Sequence, residues 1–320
     1  MNKVTAIAHT NIALIKYWGK KDEALRLPYT DSLSLTLDDF YTETSVTVSD
    51  EDQFFLDGEL KSNADSQRVF NFLNYFRLKY NVKNSFLIES NNHVPNSAGL
   101  ASSSSAFAAL SGALAKASNL DLSLKELSQL ARVGSGSASR SIYGGFVQWH
   151  AGHDDESSFA EQFDDASNSD INILSVIVNK NKKNISSTEG MNRTRMTSPF
   201  YKIWPDVVEH DLIKIKPAIK NNDIRTIGEI SEHNAMEMHA LTMSANPPFT
   251  YFDPETIEIM NIISNMRNEN ISVYFTIDAG PNVKVICHKK DVTLIKEKLE
   301  QQLANARIII TKPGPGITYK

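Results

Sequence analysis

Residues 94–120 read VPNSAGLASSSSAFAALSGALAKASNL, and how this stretch is read decides how the first half of the chain is built. Its opening, PNSAGLASSSS (residues 95–105), gathers proline, glycine and serines ahead of a helical pattern. Glycine lets a backbone approach a bound group, and serines add hydroxyl donors. The first turn of a helix has unpaired N–H groups and the positive end of the dipole, so polyphosphate is a natural guest. The same residues also suit a serine-rich N-cap on a packing helix. No Gly-Lys-Ser/Thr follows, so this is not a Walker A loop. Beyond it, Phe107, Leu110 and Leu114 share one helical face, and alanines let that helix lie close to its neighbours.

Upstream, residues 4–16 are β-branched and apolar and read as a strand. Residues 33–49 alternate apolar and polar, the mark of a half-buried strand pair. Residues 66–80 space Val69, Phe70, Leu73, Phe76 and Tyr80 for a helix, and 85–90 read as another strand. Downstream, Ser123 with Glu126 three places on is a capping box opening a helix over 123–133. From Gly152 to Asp170 the chain turns polar and acidic, which reads as a surface loop and a domain boundary. Residues 171–179 restart a buried strand, and helical patterns follow at 206–221 and 223–241. Then come helix (254–268), strand (271–277), turn, strand (283–288), helix (291–304) and strand (306–311). That order is a large part of a ferredoxin-like split βαβ, so the C-terminal half is expected to be α+β.

The chain has 320 residues, 41% hydrophobic and 22% charged, with a net charge of −5. Length predicts about two domains. The charge balance argues against a nucleic-acid binder, which needs a basic footprint. A single cysteine, Cys287, excludes an internal disulfide framework and fits a reducing cytoplasm. His9, Thr10, Asn11 and Lys16 interrupt the apolar N-terminus, which excludes a signal peptide. No apolar run approaches the ~18 residues that span a bilayer. A soluble, cytoplasmic protein without a membrane or nucleic-acid partner is expected.

Three further stretches carry chemistry. GSGSASRSIYGG (residues 134–145) adds Arg140 to glycines and hydroxyls, and a guanidinium grips phosphate with two prongs. It lacks the third glycine of a dinucleotide fingerprint and follows a helix rather than a strand. KYWGKK (residues 16–21) places Lys16, Lys20 and Lys21 beside Tyr17, Trp18 and Gly19 at a strand end, suited either to a multiply charged anion or to a solvated basic turn. ISSTEGM (residues 185–191) is ordinary loop composition with hydroxyls at Ser186, Ser187 and Thr188. Asp278 ends an apolar strand in FTIDAGPNVKV, where an aspartate either caps the turn or aims a carboxylate at a hydroxyl. His150, His153, Asp154 and Asp155 are the one cluster with metal-ligand chemistry, but they share a single acidic loop. Met236 and Met238 read as helix packing.

Taken in order, these stretches match a known family. PNSAGLASSSS resembles the phosphate loop of the GHMP small-molecule kinases. HTNIALIKYWGK (9–20), GSGSASRSIYGGFVQW (134–149), SSTEGM (186–191), NPPFTY (246–251) and FTIDAGPNVKV (275–285) are similar to one branch, the diphosphomevalonate decarboxylases. The resemblance implies a GHMP-kinase-like two-domain α+β fold. A ribosomal-protein-S5-domain-2-like domain would occupy residues 1–168 and a ferredoxin-like domain residues 169–320. It implies ATP-dependent decarboxylation of 5-diphosphomevalonate to isopentenyl diphosphate, with ATP as co-substrate, Mg2+, and a homodimer; a related mevalonate or phosphomevalonate kinase, or a non-catalytic nucleotide binder, is the alternative.

The residue roles follow by the same resemblance. Asp278 matches the catalytic aspartate, and Lys16 or Lys20 would stabilise the departing phosphate. Tyr17, Trp18, Gly19 and Lys20 match the substrate-binding stretch. So do Ser135, Gly136, Ser137, Ala138, Ser139 and Arg140, with Ser137 and Arg140 as diphosphate donors. Arg68 falls where the family often has a substrate arginine, and Thr188 where members have either arginine or threonine. Pro95, Asn96, Ser97, Ala98, Gly99, Leu100 and Ala101, with Ser102, Ser103, Ser104, Ser105 and Ser187, would hold the ATP phosphates. No Mg2+ ligand is singled out.

Overall fold

A computed structural model describes residues 3–93, 102–178, 184–303 and 306–320. The N-terminal part begins with strand β1 (Val4–Ile15), a small hairpin β2 (Lys20–Asp22) and β3 (Leu27–Pro28), and the long β4 (Ser32–Ser49). It continues through β5 (Gln53–Leu56), β6 (Glu59–Leu60), helix α1 (Asn63–Tyr80) and β7 (Ser85–Asn92). Helices α2 (Ser102–Ala117) and α3 (Leu124–Gly134), a 3₁₀ turn (Gly136–Ile142), β8 (Phe146–Trp149) and β9 (Ala160–Asp164) complete it. The C-terminal part is β10 (Ile171–Ile177), α4 (Ser187–Thr197), α5 (Trp204–Lys220), α6 (Ile224–Met243), α7 (Pro254–Asn268), β11 (Val273–Ile277), β12 (Val283–His288), α8 (Val292–Gln302) and β13 (Arg307–Thr311). A last strand, β14 (Thr318–Tyr319), returns to pair with β1.

The first sheet runs β14-β1-β4-β7-β5-β6, with β8 and β9 branching from β4. The second runs β11-β12-β10-β13, every pair antiparallel. With helices linking β10 to β11 and β12 to β13, that is the ferredoxin-like order expected of the C-terminal half. Alternation along its strands divides two cores. Ile171, Ile173, Tyr274 and Ile286 face α5 and α6, whereas Leu174, Val176, Phe275 and Val285 face α7 and α8.

Helices α5 and α6 lie between the two sheets. Ile215 and Ile227 join Ile12, Leu14, Leu33 and Leu35 of the first sheet and Ile173 and Ile286 of the second in one buried cluster. On the other face of the first sheet, Ala108, Ala109 and Ala113 of α2 bring that helix close to Ala6 and Ala8 of β1. The register of β1 on β4 slips between His9 and Asn11, and the slip turns β1 over. Ala6 and Ala8 pack under α2; Ile12 and Leu14 pack against the α5–α6 layer.

Three elements differ from expectation. Residues 187–197, whose start reads as loop composition, form helix α4 capped by Ser186. Residues 33–49 form one strand rather than a pair. Its polar positions Ser34, Thr36, Thr42 and Thr44 are as buried as its apolar ones, because layers cover both faces. The acidic stretch 152–170 contains β9, which pairs with β8 through backbone groups that the charged side chains do not disturb. The capping box of α3 forms as read: Ser123 Oγ accepts from Glu126 N–H and the Glu126 carboxylate from Ser123 N–H.

Candidate active site

A cleft of about 360 Å³ opens where the two halves meet. Strand β1 ends at Ile15, and the next residue, Lys16, extends its side chain beneath the cleft with 2% of it exposed. Its Nζ donates to Asp278 Oδ1 at 2.7 Å and to the Ala13 carbonyl at 2.8 Å. Asp278 follows the end of β11, so the pair joins the first sheet to the second. Burial pulls the Lys16 pKa below its usual value and Arg140 pushes the same way, while Asp278 opposes both.

Arg140 is also buried, and burial lowers its pKa to about 10. Its guanidinium donates to Asn11 Oδ1 at 3.1 and 3.2 Å and to Ser32 Oγ at 2.7 Å. Asn11 in turn donates to Ser137 O at 3.0 Å and Ser141 Oγ at 2.8 Å, which ties the 3₁₀ turn to β1. Ser135, Gly136, Ser137 and Arg140 line the cleft. Ala138 packs into the core below, and the Ser139 hydroxyl donates to Gly136 O, so neither side chain does.

The KYWGK stretch wraps one wall. Tyr17 packs edge-on against Trp149 at 4.8 Å, and its buried hydroxyl has no partner among the described residues. Trp18 Nε1 donates to Thr194 Oγ1 at 2.9 Å. Gly19 has φ +117°, and a Cβ there would sit 1.8 Å from the Tyr201 hydroxyl, which donates to the Trp18 carbonyl. Both facts require glycine. Lys20 Nζ reaches Glu23 at 3.0 Å and Thr188 Oγ1 at 3.2 Å. Arg68 donates to Gly134 O and lies 4.8 Å over the Phe107 ring, and burial lowers its pKa to about 10. Lys21 points away and donates to Gly152 O.

Opposite stand the ends of two helices. Ser103, in the first turn of α2, lines the cleft and sits 3.1 Å from Ser135 Oγ. Ser104 is buried, and Ser105 Oγ meets Thr42 Oγ1 at 2.7 Å. Residues 95–101 lie outside the described residues, as does the side chain of Ser102. The ISSTEGM stretch is the start of α4, with Ser186 as N-cap accepting from Glu189 N–H, and Ser187 and Thr188 face the cleft. Ser103 also borders a second, mostly apolar pocket of about 180 Å³ formed by Phe54, Leu56, Val69, Ile88 and Phe107.

Among the residues lining the cleft, Lys16, Lys20, Arg26, Arg68 and Arg140 are cationic and Asp278 is the acid. Such a surface concentrates a multiply charged anion beside one carboxylate. Among the described residues no group of three His, Cys, Asp or Glu side chains could hold a metal. In the acidic loop, Asp155 is engaged by Arg132 and Lys79, Asp154 by Ser157, and His150 by Asp31 and Glu161.

Residues 8–160 match the diphosphomevalonate decarboxylase-like N-terminal domain, and residues 173–313 the mevalonate 5-diphosphate decarboxylase C-terminal domain. The chain belongs to the diphosphomevalonate decarboxylase family. It is 35% identical to the diphosphomevalonate decarboxylase of Aspergillus fumigatus, over 92% of this chain and 78% of that one. It superposes on the mevalonate diphosphate decarboxylase of Staphylococcus aureus with a TM-score of 0.96, at 44% identity over 99% of this chain and 98% of that one. A solved complex described as MDDEF with MVAPP, AMPPCP and magnesium gives a TM-score of 0.94 at 46% identity, with the same coverage.

Six cleft residues of this family member escape a reading of its sequence: Asn11, Ala13, Arg26, Met191, Met238 and Ala279. Asn11 left a signal, one of the polar residues His9, Thr10 and Asn11 that interrupt a mainly apolar strand. Arg26 left none. It reaches the cleft through a left-handed backbone (φ +53°) and a bond from Nε to Val133 O at 2.7 Å, both set by tertiary structure. Met238 is helix packing as read, and its buried side chain is also part of the cleft floor.

Proposed function

We propose that this protein catalyses the ATP-dependent decarboxylation of (R)-5-diphosphomevalonate to isopentenyl diphosphate, with release of ADP, phosphate and CO2, in the mevalonate pathway. The observation that carries the reading is the Lys16–Asp278 contact at the base of a cleft rich in cations. Asp278 takes the proton of the 3-hydroxyl as that oxygen attacks the γ-phosphorus of ATP. The C3–O bond then breaks toward phosphate, and the electrons of the bond to the carboxyl carbon become the new C=C bond as CO2 leaves. Lys16, in contact with Asp278, balances charge on the departing phosphate. Arg140, Ser137, Lys20 and Arg68 hold the diphosphate, and Tyr17 and Trp18 wall the carbon skeleton.

Residues 95–105 and Ser187 hold the ATP phosphates, and the apolar pocket beyond Ser103 has the size and lining for the adenine ring. Mg2+ takes oxygen ligands, keeps several waters and is held largely by substrate phosphates. The Ser103 hydroxyl offers a hard oxygen beside that site, and a bound ion would neutralise phosphate charge. The structural neighbour described with AMPPCP and magnesium supports both groups. Residues 1–168 and 169–320 form the two domains of this reading. The protein acts as a cytoplasmic homodimer, in keeping with its lone buried cysteine and the family resemblance. Among the described residues no helix is long and apolar enough to cross a membrane.

Measuring ADP and CO2 together tests the reading. Diphosphomevalonate with ATP is expected to release one CO2 per ADP, while mevalonate and phosphomevalonate release none. ADP without CO2 would identify a kinase. Asp278→Asn is expected to lower kcat by about 10²–10⁴-fold with substrate binding kept; an unchanged ligand response without any wild-type turnover would instead identify a passive nucleotide binder.

A further inference from the structure

The two reacting side chains belong to different sheets, so something must hold the sheets in register at that point. Helix α6 crosses both strand ends. From its middle, Asn234 Oδ1 accepts the backbone N–H of Lys16 at 2.8 Å. The Asn234 amide donates in turn to Asp211 of α5 at 2.8 Å, which fixes which end of the side chain faces Lys16. Both Asn234 and Asp211 are buried. Five residues along, His239 Nε2 lies 3.3 Å from the carbonyl of Ile277, the residue before Asp278. A carbonyl only accepts, so Nε2 carries the proton. Nδ1 is then an acceptor, buried and without a partner among the described residues. Between them on the helix, Met238 borders the cleft.

These contacts lie outside the substrate cleft, and packing alone does not require them. A leucine would fill the space of either side chain, and each polar group costs desolvation that only its contact offsets. The His239 ring is held between Phe252 at 4.4 Å and Tyr251 at 6.2 Å, so its direction is fixed. Burial first, and the nearby Lys16 charge second, lower its pKa to about 3. It therefore stays neutral and keeps one tautomer through the working pH range.

We propose that Asn234 and His239 are positioning residues for the reaction: α6 clamps the backbone beside Lys16 with one and the backbone beside Asp278 with the other, and so sets the distance between the two side chains. The inference rests on the decarboxylase reading above. Neither residue touches substrate, so their loss is expected to act on kcat and not on binding. Loosening the pair also removes the Asp278 attraction that holds the Lys16 proton against burial and Arg140, with His239 itself uncharged.

The test is steady-state kinetics across pH on full-length Asn234→Ala and His239→Leu. Each is expected to lower kcat at least tenfold, to leave KM for diphosphomevalonate and ATP within twofold, and to move the alkaline limb of kcat to lower pH. His239→Gln, whose amide N–H can replace Nε2–H, is expected to recover most of the loss and return the limb. Should Asn234→Ala or His239→Leu fail to fold, Asn234→Ser and His239→Asn shorten the same contacts and carry the same expectations. Unchanged kcat, a parallel rise in both KM values, or a kcat loss with an unmoved limb would each overturn the proposal. A wild-type enzyme that releases no CO2 would instead overturn the decarboxylase reading.

Discussion

Arg140 lies beside Lys16 with neutral oxygens as its hydrogen-bond partners, Asn11 and Ser32. A buried guanidinium spared a carboxylate keeps its charge for a ligand. Arg140→Met is expected to raise KM for diphosphomevalonate by roughly 10- to 100-fold, the range for a charged hydrogen bond lost at a buried site. The same change removes a positive neighbour that lowers the Lys16 pKa, so the alkaline limb of kcat should move to higher pH. A pH-rate series on wild type and variant checks both effects. Arg140 was legible in the sequence because its glycine- and serine-rich setting is unusual. Asn234 and His239 were not, since a polar residue on a helix face says nothing of which strand end it will meet. That meeting is decided by the crossing of α6 over two sheets.

Among the elements, the short turn after β1 tolerates little change. Gly19→Ala must place a methyl group against the Tyr201 hydroxyl at a backbone angle L-residues avoid. It is expected to lower both Tm and kcat, with Gly19→Ala/Tyr201→Phe recovering the steric part alone. Differential scanning calorimetry and the CO2 assay read the two effects. The end of β8 offers a pH-dependent counterpart. The hydrogen bond to Asp31 and that to Glu161 raise the His150 pKa above its ordinary 6.5, against the cost of burial. The stabilisation is thus fully present below the unfolded-state pKa and lost as pH rises through the folded one. Urea midpoints at pH 6 and pH 8.5 should differ less in His150→Gln than in wild type. Periodicity foretold α1, α3 and α5–α8, because each has an apolar stripe. It misjudged β4 and overlooked β9 and α4. In β4 small hydroxyl side chains fill a covered face, and β9 owes its pairing to the β8 backbone rather than to its own acidic side chains.

For the molecule as a whole, the buried layer of α5 and α6 belongs to both sheets at once. Two domains that share a core have little to gain by melting apart, so heating is expected to give one cooperative transition with equal calorimetric and van't Hoff enthalpies. Two resolved peaks would show that the layer belongs energetically to one side. The ferredoxin-like order was readable from helix–hairpin–helix–strand spacing. The sharing of α5 and α6 was not, because a helix pattern shows how wide its apolar face is and not how many partners cover it.

The pairing of β14 with β1 has a consequence for biosynthesis. Ile7 of β1 lies opposite Thr318, and Gly314 bonds to both Thr36 and Gly145 on the way there. Strand β1 therefore keeps one edge bare until Thr318 and Tyr319 have been translated. Nascent chains folding domain by domain would carry that open edge while the residues between β1 and β14 are made, a target for chaperones and for mispairing with neighbouring polysomes.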